Sequence, residues 1–187
     1  MRNLFSRDSM INSVGSIVFL LALTFVLVAA RRTMSAPHPD DPDSQFANKA
    51  AAGGMSEIKL GQLAVDKGRN SAVKEFGQRM VTDHSKANDE LKSIALRTNI
   101  ALPDTTTASD QSLYERLSKL SGSEFDRAYA RAMVKDHQED VTTFQRESVE
   151  GRNAAVKEFA TKTVPTLKSH LQQAREMQKT VSASAMK

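Results

Sequence analysis

Four residues of this chain carry metal-ligating side chains at matching depths: Glu57, His84, His137 and His170. Each falls near the middle of a separate stretch whose apolar residues recur every three or four positions. Each is in phase with that apolar stripe, which is the signature of an amphipathic helix. Long helices packed side by side bring mid-helix residues to one level of the core, whichever way each helix runs. One carboxylate and three imidazoles meeting there make a donor set for one divalent ion: zinc, iron, manganese or copper. The competing account needs no cofactor. It is a hydrogen-bonded polar core in which Glu57 accepts from the imidazoles and helix register is the only thing specified. Polar groups buried without partners are costly, so inward residues of this kind require one explanation or the other.

The neighbours of these four refine the choice. Asp83 and Asp136 each precede a histidine. They are expected at the edge of the buried stripe, paired with a basic residue of a neighbouring helix; the other reading is that they orient an imidazole. Met80 and Met133, one turn before His84 and His137, read as core filler, with a copper-binding Met/His set as the alternative. Tyr129 reads as core with its hydroxyl satisfied. The Glu-x-x-His pairs of carboxylate-bridged two-metal bundles are missing, which favours a single ion. No catalytic triad, phosphate loop or dinucleotide fingerprint occurs. Four protein ligands around one ion leave no open position, so an enzyme is the weakest reading.

The elements that must position these residues follow from caps and periodicity. The first helix is expected from about Ser44 to Lys67, capped by Asp43 or Ser44 and stopped by Gly68. Its inward positions around Glu57 are small: Ala50, Gly54, Gly61 and Ala64. The second runs from about Ser71 to Thr98 with Asn70 as N-cap. A short amphipathic helix from about Asp110 to Leu120 follows a turn-rich stretch. The next long helix covers about Glu124 to Glu150, with Ser121 and Glu124 at capping-box spacing. The last runs from about Asn153 to Thr180, and Pro165 inside it predicts a kink near Thr161 to Pro165. No stretch alternates as a strand. The chain is therefore read as all-α: an antiparallel four-helix bundle over residues 44–180 with a short crossover helix, and a disordered tail at 181–187. Two internal echoes fit a bundle of two similar hairpins. Asn70 to Phe76 resembles Asn153 to Phe159, and Met80 to His84 resembles Met133 to His137.

Residues 1–32 form a separate targeting segment. Arg2 and Arg7 precede an apolar run from Val14 to Ala30, and Val28-Ala29-Ala30 fits a small-x-small cleavage site. Arg31 and Arg32 follow at once, and the run sits at the short end of what spans a bilayer. Both a cleaved signal peptide and an uncleaved single-span anchor fit, so the membrane is a partner only in the second case. Either way the domain is expected in the periplasm or otherwise outside the cytoplasm, tethered to the inner membrane or released. Residues 33–43, with three prolines, read as a linker. Three units of the formal charge of +4 come from the targeting segment. Beyond residue 32 there are 22 basic and 21 acidic residues, which leaves no basic footprint for nucleic acid. There is no cysteine, so disulfides, iron–sulfur clusters and thiolate-bound zinc are excluded.

Four stretches carry a family likeness: MSEIKLGQLA (55–64), VKEFGQRMVTDHSKANDEL (73–91), LSGSEFDRAYARAMVKDHQEDVTTF (120–144) and VKEFATKTVPTLKSHLQQA (156–174). Through them residues 45–178 resemble the ferritin-like bacterial family called domain of unknown function 4142. The paired M-V-x-D-H motifs make the likeness specific. The resemblance implies a ferritin-like four-helix bundle exported from the cytoplasm, with Glu57, His84, His137, His170 and Pro165 at the family's positions. It implies no particular activity. Metal handling, envelope stress protection and a non-enzymatic helical interaction module of the envelope all remain open.

Overall fold

The computed structural model describes residues 41–184. The targeting segment, most of the linker and the last three residues lie outside the described residues. Five helices and no strand occur among those described: α1 (Pro42–Lys67), α2 (Ser71–Thr98), α3 (Ala108–Ser118), α4 (Gly122–Glu150) and α5 (Ala154–Ser184). None of them is long and apolar enough to cross a membrane.

Local chemistry accounts for most of the boundaries. Asn70 caps α2 by accepting from the Ala72 N–H, and Asn153 caps α5 by accepting from Ala155 and Val156. Thr107 and Asp110 form a reciprocal capping box on α3. Three ends differ from the sequence reading. The cap of α1 is Asp41, which accepts from the Ser44 N–H; the helix therefore starts inside the expected linker, with Pro42 in its first turn. Ser121 makes no side-chain cap, and Gly122 enters α4 in the left-handed region at φ +56°. Residues 181–184, expected in the tail, belong to α5, which continues to Ser184 and buries Val181 against the core. Pro165 is exposed and lies inside α5, which runs through it as one element, as the sequence reading had it.

The long helices pair as two hairpins, α1 with α2 and α4 with α5, which meet along α2–α5 and α1–α4. In the first hairpin Gly61 and Gly77 face each other. A Cβ on either would lie 2.6 Å from the other's carbonyl oxygen, so only glycine allows this approach. The hairpins repeat at an offset of 83 positions: Gly68-Arg69-Asn70 turns the first and Gly151-Arg152-Asn153 the second. Each turn is clamped by a buried aspartate of the opposite hairpin. Asp126 accepts from the N–H groups of Arg69 and Asn70, both at 2.9 Å. Asp43 accepts from Arg152 at 3.0 Å and Asn153 at 2.7 Å. Asp43, expected as a helix cap, thus holds a turn more than a hundred residues away.

The apolar core is divided in two. One cluster includes Leu60, Phe76, Met80, Phe125, Met133 and Met177. The other includes Phe46, Leu91, Phe144, Val156, Phe159 and Leu167. On each of the four long helices the boundary between clusters falls at the polar residue singled out above: Glu57, His84, His137 or His170. A single polar layer therefore crosses the middle of the core.

Candidate metal centre

Glu57 on α1, His84 on α2, His137 on α4 and His170 on α5 meet in this layer, and none is more than 7 % exposed. The three imidazole rings lie 5.4–6.0 Å apart, centroid to centroid. One nitrogen of each can be chosen so that all three lie within 4.8 Å of one another.

One nitrogen of each ring already has a polar partner. His84 Nδ1 lies 2.8 Å from Glu57 Oε2. His137 Nδ1–H donates to the Met133 carbonyl at 2.9 Å, one turn back on the same helix. His170 Nε2–H donates to Asp83 Oδ2 at 2.8 Å. A carboxylate or carbonyl on one nitrogen fixes the tautomer and leaves the other as a bare lone pair. Those lone pairs, on His84 Nε2, His137 Nε2 and His170 Nδ1, are buried and without hydrogen-bond partners. Glu57 Oε1 is in the same condition. It lies 3.2 Å from His137 Nε2, yet the two make no hydrogen bond. Four unpartnered acceptors thus sit in one layer. A cation satisfies such an arrangement, whereas a closed hydrogen-bond network would have paired them.

The electrostatics agree. Burial, reinforced by the other two imidazoles, pushes His137 down to about 3. Burial also pushes His170 down to about 4, against the pull of Asp83. Burial lowers His84 despite the aspartates near it. The rings are therefore neutral at neutral pH, the state in which imidazole ligates a metal. Glu57 is held well above the usual carboxylate range by burial first and then by the neighbouring Asp136.

Asp83 has the role the sequence left as its second reading. It orients an imidazole, but that of His170 on α5 rather than its neighbour His84. Its basic partner is Arg79 of its own helix, at 3.3 Å. Burial works against the Asp83 charge, but His170 and Arg79 hold its carboxyl below the ordinary range. Asp136 faces Glu57 instead of a basic residue, and its carboxylate, Glu57 and His137 Nε2 form a second set of donor atoms within 4.8 Å. Asp140, one turn further along α4, was not anticipated. Burial, Glu57 and Asp136 together raise it well above its usual range. Its signal was its place four residues after Asp136 and, at the hairpin offset of 83, as the counterpart of Glu57. It lines a small cavity, about 20 Å³ open to the centre of a water molecule, together with Glu57, His84, Gly54 and Asn88. Tyr129 is fully buried as expected, but its hydroxyl has no partner. Met80 and Met133 lie in the apolar cluster beside the layer.

None of the curated proteins matches the chain. Among solved structures, the crystal structure of a DUF305 fragment from Deinococcus radiodurans is similar, with a TM-score of 0.64 at 13% identity. The match covers 76% of this chain and 96% of that one. At that identity the likeness is one of fold. The profile described as "Domain of unknown function (DUF4142)" matches residues 28–177, more than half of the chain, and the protein belongs to that family.

Proposed function

We propose that the protein binds one divalent first-row metal ion in a ferritin-like antiparallel four-helix bundle. His84 Nε2, His137 Nε2 and His170 Nδ1 are its ligands; Glu57, which the sequence placed in the same set, falls instead in the neighbouring group with Asp136 and His137. The observation that carries this reading is the set of three buried imidazoles, each tied through one nitrogen and bare at the other. Imidazole donors with a carboxylate beside them suit zinc, iron, manganese or copper. Bound there, the ion would supply positive charge to a layer of lone pairs and carboxylates. Asp83 would hold the His170 ring in its ligating orientation, and Glu57 would do the same for His84.

The rival reading, a helical interaction module whose polar core sets register, predicts paired donors and acceptors. The four unpartnered atoms tell against it. The arginine-flanked apolar run from Val14 to Ala30 supports placing this metal-binding domain outside the cytoplasm, as a metal-handling protein of the envelope.

The test is elemental analysis of the full chain, purified untagged and without chelators, beside the His84→Ala, His137→Ala, His170→Ala triple variant. About one equivalent of metal, lost in the variant, is expected from a single site of this kind. A metal-free wild-type chain that also fails to take up added zinc, iron, manganese or copper would overturn the proposal.

A further inference from the structure

The two donor sets share one atom. His137 belongs to both the three-imidazole set and the set formed with Glu57 and Asp136. Its Nδ1 is occupied by the Met133 carbonyl, so Nε2 is its sole lone pair. Glu57 Oε1, also unpartnered, lies 3.2 Å from that nitrogen. The sets therefore describe adjacent positions, and His137 cannot serve both at once.

They differ in exposure. His137, His170 and Glu57 are no more than 1 % exposed and His84 is 7 % exposed, whereas Asp136 keeps an edge at the surface. Asp136 stands on α4 and Glu57 on α1, so the acidic position lies on the seam between these helices. Asp140 extends the carboxylate edge one turn along α4. In the other direction, Asp110 of α3 bears electrostatically on both Glu57 and Asp136. Asp110 and Glu115 of α3 line a cleft of about 570 Å³ whose α1 side carries Asp66 and Lys59. The opposite seam, α2 against α5, is latched. There Asp83 bonds His170, and Arg79 bonds both Asp83 and Gln173.

Resting on the metal reading above, we propose that a divalent cation enters through the α1–α4 seam. It pauses on Asp136, Glu57 Oε1 and His137 Nε2, then passes to the three imidazoles. One ion occupies the two positions in turn. Carboxylates at the edge draw the hydrated ion in by charge, and the buried nitrogens retain it.

The experiment uses the metal-free full chain, with cobalt(II) as a spectroscopic probe and stopped-flow mixing. Release is followed with an excess of chelator. In Asp136→Asn the uptake rate is expected to fall about tenfold, with release no faster than in wild type, because a route residue slows both directions. His170→Ala is expected to lose the wild-type cobalt spectrum while retaining fast, weak association that Asp136→Asn abolishes. Wild-type uptake in Asp136→Asn, or faster release from it, overturns the route and leaves the metal reading standing. So does a wild-type chain that binds two cobalt ions, the second lost in Asp136→Asn. A wild-type chain that takes up no cobalt overturns both.

Discussion

If the polar layer exists to hold a cation, it should cost the metal-free protein stability, and an apolar replacement should be more stable. The perturbation is the joint substitution Glu57→Met, His84→Leu, His137→Leu and His170→Leu. Replacing the set together avoids stranding any one member; Glu57→Met alone would orphan His84 Nδ1. Three polar interactions are lost: the hydrogen bonds of His137 to Met133 and His170 to Asp83, and the 2.8 Å contact of His84 with Glu57. Each is worth about 1 kcal/mol net. Four unpartnered buried acceptors are removed: Glu57 Oε1, His84 Nε2, His137 Nε2 and His170 Nδ1. Each costs about 1–3 kcal/mol. The balance favours the variant by about 1–9 kcal/mol, with Tm raised by about 2–4 °C for each kcal/mol in a domain of this size. The assay is urea unfolding of both full chains with chelator present. Added metal at a hundred times its Kd should raise the wild type by about 2.7 kcal/mol and leave the variant unmoved. A variant less stable than wild type in chelator would refute the reasoning, because the layer would then be a structural network.

Asp83→Ala keeps all three imidazoles but frees the His170 ring, so metal affinity should weaken by about 10–100-fold in chelator competition. Gly77→Ala gains about 1 kcal/mol of helix propensity. Against that, it drives a Cβ to 2.6 Å from the Gly61 carbonyl, and a net loss of about 1–3 kcal/mol should appear as a lower urea midpoint. Glu147 is raised to about 7, by burial first and then by Asp43. A raised carboxyl favours the folded state while protonated, so its contribution is full below about pH 4.5 and is lost as pH rises through about 7. Glu147→Gln should therefore be more stable than wild type at pH 8, by about 1–2 kcal/mol after discounting for solvent, with the difference vanishing near pH 4. A pH-independent difference between the two would show that the effect is not titration.

The helices were legible because what makes them is local. Asn70 and Asn153 cap from within two or three residues, and Gly68 and Gly151 stop the helices before them. The apolar stripe, read at 3.6 residues per turn, placed Glu57, His84, His137 and His170 inward. The echo from Asn70 to Phe76 belongs to the true repeat. The echo between Met80–His84 and Met133–His137 does not, since it maps α2 onto α4, whereas the hairpin offset maps α1 onto α4 and α2 onto α5. Short similarity cannot distinguish the two. The reciprocal clamps of Asp43 and Asp126 can, because they tie each turn to the other hairpin.

By itself, then, the sequence determined the secondary elements and the level at which four polar residues would lie, since periodicity and capping act over a few residues. Tertiary structure alone decided which nitrogen of each imidazole is bare. That choice depends on partners brought from elsewhere, such as Asp83 reaching His170 from 87 positions away. It also decided that Asp136 and Asp140 turn toward Glu57 rather than toward a basic residue. A carboxylate at the edge of a helical stripe reads the same in sequence whether it faces solvent or a neighbour; only the packing of α1 against α4 distinguishes the two.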